Sequence, residues 1–549
     1  QTAKKGVQLI AEICRRRGIR KVVFSPGSRS APLVIAFSGM PDVECIVIPD
    51  ERVAGYFALG MTQQGTAVAL VCTSGTAVLN LAPAVCEAYH QGIPLLLLTA
   101  DRPAELIGMG ENQAINQHNI YKNFIKAAYN LSANDVESGS ELVAHTCKTA
   151  IQQLLEGGKG PVHINIQLRE PLYESATLEE VGDYETETVK MALPDVAAVK
   201  LMPKTLVLVG LMQANAELNA LLNRLSVMEN VVVVTETTSN MYGGHFISNA
   251  DAVVASAKQT EADFAPDLVI QLGRQTVSKR LKEFLKRHPA KLHVQVAEFE
   301  ENWNSLSAIA YQKISADAVS FLQVLLYHNA QEPSGYRQLW LNQSAKAAVM
   351  QQQYVESLPF CDMKVFDTLV KSFPAEALIQ YGNSSPIRYS NFFKHNEGLQ
   401  VNANRGTSGI DGCVSTAAGA AHATGKLTVN IVGDVSFFYD SNALWNSKLC
   451  SQLRIVIINN SGGNIFRLIE GPGKVPDFEK FFETRHNLSA EKLALMYGIP
   501  YYFCHAQKEL DEALKTFYGP QNGKPAILEI KTDGELSAKV FKEYWQLFN

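Results

Sequence analysis

Residues 427–463 read LTVNIVGDVSFFYDSNALWNSKLCSQLRIVIINNSGG. Two β-branched runs, Leu427–Val432 and Arg454–Ile458, each break into small and polar residues. The first ends in Gly433-Asp434-Val435-Ser436, the second in Asn459-Asn460-Ser461-Gly462-Gly463. Short apolar runs bounded in this way read as buried strands. Asp434 and Asn460 lie 26 residues apart, about one strand–helix–strand step. Adjacent parallel strands would then present a carboxylate and a carboxamide together at their carboxyl ends, where open α/β sheets bind ligands. Hard oxygen donors suit Mg2+ (or Mn2+). Small residues with free N–H groups suit a diphosphate. Either motif alone also fits an ordinary capped strand end; the pair at this spacing favours a site.

The same alternation of strand and helix extends outward. Further strand-like runs are Val22–Phe24, Ile46–Ile48, Ala67–Cys72, Leu95–Thr99, Val162–Ile166, Leu206–Val209, Val231–Thr235, Leu268–Leu272, Leu378–Tyr381 and Ile527–Ile530. Most end in Gly, Ser, Asn or Asp and lead into a helix-like stretch. The pattern predicts an α/β protein with doubly wound parallel sheets covered by helices on both faces. Two polar stretches interrupt it: an acidic one from Glu174 to Lys200, and Asn329–Gly335. Boundaries near 185 and 335 give three domains, 1–185, 186–335 and 336–549, a natural count for 549 residues.

Composition removes several classes of function. Lys and Arg total 49 against 54 Asp and Glu, a net charge of −5, so there is no bulk attraction for nucleic acid or anionic membrane. The longest apolar run, Ile93–Thr99, is strand-sized and far short of a membrane span. The N-terminal QTAKKGVQLIAEICRRRG reads as an amphipathic helix with Val7, Ile10 and Cys14 on one face and Gly18 at its end, not as a signal peptide. Nine cysteines without a CxxC pair read as reduced thiols in a cytoplasmic protein. Glycine-rich stretches lack the dinucleotide and nucleoside triphosphate patterns, and the histidines form no metal or triad spacing.

A second candidate region lies near the N-terminus. The strand Ile46–Ile48 is followed by Pro49-Asp50-Glu51-Arg52 and a helix containing Ala54, Phe57, Ala58 and Gly60. A carboxylate at a helix start is stabilised by the macrodipole, and simple capping would also account for it. The next strand ends in Thr73-Ser74-Gly75-Thr76, with Asn80 one turn on. This small-residue loop could admit a flat ring.

Taken together these segments resemble the thiamine diphosphate-dependent enzymes, and within them the decarboxylating carboligases of menaquinone biosynthesis. The narrower resemblance is carried, in order, by Ser25-Pro-Gly-Ser-Arg-Ser30, Asp50-Glu-Arg52, Thr73-Ser-Gly-Thr76, Thr99-Ala-Asp-Arg-Pro103, Asn112-Gln-Ala-Ile115 and Ser278-Lys-Arg280. It continues in Gly382-Asn-Ser384, Asn404-Arg-Gly-Thr-Ser-Gly-Ile-Asp-Gly412 and Gly463-Asn-Ile-Phe466. Val435 stands where the wider superfamily has a glycine, as in that group.

The resemblance implies an aminopyrimidine-binding first domain, a central domain and a diphosphate-binding third domain. It implies a homodimer as the minimal active unit, assembling into a homotetramer, with Glu51 of one subunit serving the cofactor held by another. Implied cofactor contacts are Glu51, Thr76, Ser408, Gly409, Ile410, Gly433, Asp434, Val435, Ser436, Asn460, Gly462, Gly463, Asn464 and Ile465; the metal falls to Asp434, Asn460 and Gly462. Glu51, Gln113, Ser384, Arg388 and Arg405 are the implied catalytic set. The implied reaction is decarboxylation of 2-oxoglutarate and 1,4-addition of the succinyl-semialdehyde carbanion to isochorismate. These substrates bring four carboxylates, and arginine grips carboxylates bidentately. Arg388 and Arg405 are assigned to the donor or its adduct. Ser28, Arg29, Gln113, Lys279 and Arg280 are assigned to isochorismate, with Arg102 and Phe466 also lining the site. A related carboligase acting on pyruvate, of the acetohydroxyacid synthase kind, would share Glu51, Asp434 and Asn460 but need no such cations. A non-catalytic diphosphate-binding module would not need Glu51.

Overall fold

The structure is a computed structural model and describes residues 2–177, 199–298, 306, 308–329, 333–469 and 471–548. The chain divides into two compact units. The first combines the N-terminal described residues with Asn404–Thr428 and Tyr439–Leu453; the second holds the described residues of Ala192–Ala403, Val429–Phe438 and Arg454–Asn549.

In the first unit six strands form one sheet: β1 (Lys21–Phe24), β2 (Glu44–Val47), β3 (Val68–Cys72), β4 (Leu95–Asp101), β5 (Ala127–Leu131) and β6 (Val162–Gln167), in the order β2-β1-β3-β4-β6-β5. All pairings are parallel. The central strands β3 and β4 are buried along their whole length, as a sheet covered on both faces requires. Leu95 to Leu98 are fully buried, each contributing roughly 1.5–3 kcal/mol of transfer free energy. The N-terminal helix Lys5–Arg16 buries Val7, Ile10 and Cys14 as its periodicity predicts. It closes with Gly18 in the left-handed region at φ +82°, the Gly18 and Ile19 N–H groups returning to Arg15 and Cys14 carbonyls.

Helix Glu51–Gln63 packs in the same unit against helix Cys413–Thr424. Two glycines permit the approach. A Cβ on Gly60 would lie 1.9 Å from the Thr416 carbonyl oxygen, and one on Gly419 would lie 1.9 Å from that of Phe57. The helix that begins with Glu51 is therefore locked backbone to backbone.

The second unit carries two sheets. The first has β7 (Thr205–Val209), β8 (Val231–Thr235), β9 (Leu268–Leu272), β10 (Ala290–Val296) and β11 (Ala308–Ile314), in the order β11-β10-β9-β7-β8. The second has β12 (Leu378–Tyr381), β13 (Gln400–Ala403), β14 (Thr428–Gly433), β15 (Leu453–Asn459), β16 (Tyr501–Cys504) and β17 (Ala526–Lys531), in the order β13-β12-β14-β15-β17-β16. Asn240 joins the two sheets: its amide donates to the Val401 carbonyl (2.8 Å) and accepts from the Val401 N–H (2.6 Å).

Each sheet is doubly wound, with a switch point between β1 and β3, between β7 and β9, and between β12 and β14. Such switch points open a crevice at the strand ends. The segments that follow these strands are Ser25–Ser30, Thr73–Thr76, Thr276–Arg280, Gly382–Arg388 and Gly433–Ser436. The strands not expected from sequence are β5, β10, β11, β13 and β16. Four of these are edge strands or polar runs, such as Gln400–Ala403, without a continuous apolar signature. The expected boundary near 185 lies outside the described residues. Gly335 precedes helix Tyr336–Ser357, whose Tyr336 and Trp340 pack into the core of the five-stranded sheet.

Candidate active site

In the first unit, Glu51 opens its helix but does not cap it. Asp50 is the cap, its Oδ1 accepting the N–H groups of Arg52 (2.9 Å) and Val53 (3.3 Å). Capping therefore does not explain Glu51, whose half-buried carboxylate accepts a long hydrogen bond from the Asn80 amide, at 3.5 Å. Thr73 and Ser74 follow β3, and both hydroxyls are buried without a hydrogen-bond partner. Gly75, at φ +86°, backs onto Gln113: a Cβ there would lie 3.2 Å from the Gln113 Cα. Gln113 itself is held in the left-handed region, φ 54°. Unsatisfied buried hydroxyls beside a carboxylate at a switch point fit a polar aromatic ring.

The cations of this unit have protein partners. Arg29 is buried; its Nη1 donates to the Leu168 carbonyl (2.9 Å) and its Nη2 pairs with Glu170 (3.0 Å). Burial and the neighbouring Arg102 hold its guanidinium below its ordinary value. Arg102 donates to the Asn112 carbonyl (2.8 Å). The segment bearing Arg405, Ser408, Gly409 and Ile410 is clamped by Glu87. That buried carboxylate accepts the N–H groups of Gly406 (2.6 Å) and Thr407 (2.7 Å) and the Thr407 hydroxyl (2.6 Å). At its other end Tyr56 donates to Asp411 (2.7 Å). Neither Glu87 nor Tyr56 lies in a recognisable motif; only the packed helices bring them to the loop.

In the second unit, Asp434 directly follows β14 and is 2 % exposed. Its Oδ2 accepts the Gly462 N–H at 2.9 Å and its Oδ1 the Val435 N–H at 2.8 Å. The two asparagines after β15 divide their roles. Asn459 is structural, bonded to Glu529 and to the Leu488 carbonyl. Asn460 donates its amide nitrogen to Asp362 (3.0 Å), which leaves its oxygen for a cation. Asn464, 3 % exposed, has both amide atoms unpartnered. A carboxylate, an amide oxygen, the Gly462 backbone and an orphaned buried amide fit a divalent cation holding a diphosphate. Among the described residues no group of three His, Cys, Asp or Glu could hold a metal, so phosphate oxygens and water would complete such a site. Sequence reading passed over His486, whose Nε2 lies 3.4 Å from Asp434 Oδ2, and Asp362; neither has a local signature.

Beside this region is a cleft of about 1370 Å³ lined by Lys279, Arg280, Arg388, Ile465 and Phe466 among others. Arg388 lies in the short helix Ser385–Ser390, started by Ser384 at φ 72° and continued by Pro386. Its guanidinium has no hydrogen bond to a described residue, and burial lowers its basicity. Lys279 and Arg280 begin helix Lys279–Arg287, capped by Ser278. A buried carboxylate and a half-buried one anchor that start. Glu236 accepts the N–H groups of Val277 and Ser278, both at 2.6 Å, and Asp251 accepts the Ser278 hydroxyl. Lys279 is exposed and pairs with Glu283 at 3.5 Å.

The expected residues thus fall into two groups. Ser28, Arg29, Glu51, Thr76, Arg102, Gln113, Arg405, Ser408, Gly409 and Ile410 belong to the first unit. Lys279, Arg280, Ser384, Arg388, Gly433 to Ser436, Asn460 and Gly462 to Phe466 belong to the second.

Residues 4–120 match the family model for the thiamine pyrophosphate enzyme N-terminal TPP binding domain. Residues 185–379 match the middle domain of thiamine pyrophosphate enzymes, and residues 383–530 the C-terminal TPP binding domain. Fold and site together define a thiamine pyrophosphate enzyme. The chain is 38% identical over 547 residues to 2-succinyl-5-enolpyruvyl-6-hydroxy-3-cyclohexene-1-carboxylate synthase of Flavobacterium psychrophilum, covering 98% of each chain. It is 35% identical to that of Desulfotalea psychrophila, over 97% of this chain and 99% of the relative. With the Bacteroides fragilis synthase it shares 32% identity, over 99% and 98% respectively. The chain belongs to this synthase family.

Proposed function

We propose that this enzyme is a transferase of menaquinone biosynthesis that forms 2-succinyl-5-enolpyruvyl-6-hydroxy-3-cyclohexene-1-carboxylate and CO2 from 2-oxoglutarate and isochorismate. The observation that carries the reading is likeness along nearly the whole chain to synthases named for that product. The open cations around one cleft support it, because a pyruvate-using carboligase would leave them without anions.

Thiamine diphosphate, when bound, supplies the nucleophilic carbon that lets a 2-oxo acid lose CO2 and donate the remaining fragment. Glu51 would face the aminopyrimidine ring of that cofactor and hold or exchange a proton at its carboxylate. Ile410 would supply an apolar surface for the cofactor. Asp434, the Asn460 side chain and the Gly462 carbonyl would hold Mg2+ or Mn2+, and Asn464 and the Gly462–Gly463 backbone would serve the diphosphate. Arg388 and Arg405 bind the donor carboxylates, with Ser384 beside them. Ser28, Arg29, Arg102, Gln113, Lys279, Arg280 and Phe466 receive isochorismate. Residues 1–185 serve the aminopyrimidine and 336–549 the diphosphate, with 186–335 between them. The working form is a cytoplasmic homodimer or homotetramer in which Glu51 of one subunit serves the cofactor held by another. Among the described residues no helix is long and apolar enough to cross a membrane.

The test is mass spectrometry of products from enzyme, thiamine diphosphate, Mg2+, isochorismate and either 2-oxoglutarate or pyruvate. The expected product is the 2-oxoglutarate–isochorismate adduct less CO2; turnover with pyruvate alone overturns the assignment.

A further inference from the structure

Arg280 lies in a motif, but the residue that holds its side chain comes from a part of the chain that carries none. Its guanidinium carbon is 3.8 Å from the centre of the Trp545 ring. Trp545 sits near the end of helix Gly534–Gln546, well past the last sequence motif at Phe466. The indole is fixed by aromatic neighbours, its ring centre 4.8 Å from Tyr544, 5.6 Å from Phe392 and 6.1 Å from Phe541. At this separation the guanidinium lies on the ring face, and indole is the best aromatic face for a cation. Stacking uses the flat of the guanidinium and leaves its in-plane N–H fork for a carboxylate. The neighbouring carboxylate, Asp251, spends its Oδ1 on the Ser278 hydroxyl and the Leu281 N–H, groups of the backbone turn that carries Arg280, and its charge also favours the guanidinium. Arg280 and Trp545 both line the large cleft.

We propose that Trp545 is a positioning residue for acceptor recognition, holding Arg280 flat against the cleft wall so that an acceptor carboxylate meets a preset pair of donors. The inference rests on the assignment of Arg280 to isochorismate made above. The experiment is a double-mutant cycle on the full-length holoenzyme with Trp545→Leu, Arg280→Ala and the double variant, plus Trp545→Phe. KM and kcat are measured for isochorismate and for 2-oxoglutarate, and melting temperature is recorded for each protein. Trp545→Leu should raise KM for isochorismate about 3- to 10-fold. Its kcat and its KM for 2-oxoglutarate should stay within about twofold of wild type. Trp545→Phe, which keeps an aromatic face and the core packing, should recover part of the loss. In the Arg280→Ala background Trp545→Leu should cost nothing more, because the partner it positions is gone. An equal rise with and without Arg280, or a rise for both substrates together, makes Trp545 a wall residue and overturns the proposal. If Arg280→Ala raises KM for isochorismate and neither Trp545 variant does, the proposal alone falls. If Arg280→Ala leaves that KM unchanged, the acceptor assignment of Arg280 falls and the proposal with it.

Discussion

The two units place their positive charge in opposite ways. In the first, Arg29 and Arg102 already donate to main-chain carbonyls, and a buried carboxylate ties down the Arg405 loop through its backbone. In the second, Arg388 has no hydrogen bond to a described residue and Arg280 rests on an indole beside a wide cleft. A cation with protein partners shapes the wall of a site at little further cost. A cation without them gains most when an anion arrives, since a charge-assisted bond replaces none already made. Both arrangements use carboxylates chiefly on backbone N–H groups: Glu87 on Gly406 and Thr407, Glu236 on Val277 and Ser278. That choice fixes the loop without neutralising the guanidinium.

The largest effect should come from Glu51→Gln in the first unit. It retains shape but cannot share a proton, so turnover should fall by about 10²- to 10⁴-fold, while a fluorescence titration still finds thiamine diphosphate bound. Near-normal turnover would remove Glu51 from proton sharing and leave the first unit without a catalytic centre.

In the second unit Asp434→Ala should act on retention instead. Metal-dependent cofactor affinity should drop by at least about 100-fold, read by titration with Mg2+ present and absent. Asp434 also satisfies the Gly462 N–H, so the melting temperature should fall modestly. Unchanged metal dependence would place the diphosphate elsewhere.

The contrast itself is tested by Arg388→Ala against Arg29→Ala. Loss of Arg388 should cost about 10- to 150-fold in kcat/KM with 2-oxoglutarate and leave the melting temperature alone. If it grips the distal carboxylate, 2-oxobutanoate should be little affected. Loss of Arg29 strands the Leu168 carbonyl and should reduce folding stability by about 1–3 kcal/mol, seen in urea unfolding. Equal stability losses would erase the distinction between the units.

The smallest effect is shared by both. His163 in β6 and His395 after the helix Ser385–Ser390 are buried, and burial lowers them to about 3 and about 4. His395 donates Nδ1–H to the Phe393 carbonyl and accepts from the Tyr381 hydroxyl on Nε2, a neutral arrangement. The unfolded chain, with ordinary histidines near 6.5, takes up protons first. Each ring's contribution is therefore complete above pH 6.5 and is lost as pH falls toward its folded value. The slope is about 1.4 kcal/mol per pH unit per ring. Urea unfolding from pH 6.5 to 4.5 should show it, and His163→Gln or His395→Gln should each remove one ring's share. A slope that neither substitution changes would assign the acid sensitivity to other groups.

Much of this architecture is written locally. The fully buried strands announce themselves because apolar β-branched runs have few alternatives to a covered sheet. The carboxylate of Asp434, the amide of Asn460 and the positive-φ turn at Gly462 follow such strands directly, so their chemistry could be read from one stretch of chain. Glu51 was legible for the same reason, as the first residue of a helix after a short strand. What the chain order cannot express is which distant side chains complete these fragments. Glu87, Asp362, His486 and Trp545 sit in ordinary helical or loop sequence. They acquire a role only when packing brings them within a few ångströms of the Arg405 loop, Asn460, Asp434 and Arg280. Edge strands such as β13 were hidden likewise: Gln400–Ala403 is largely buried, but its polar residues interrupt any apolar run. Local sequence determines backbone conformation and the residues that end each strand. Burial, hydrogen-bond completion and the support of each charge depend on neighbours far away in the chain, and only the folded structure supplies those.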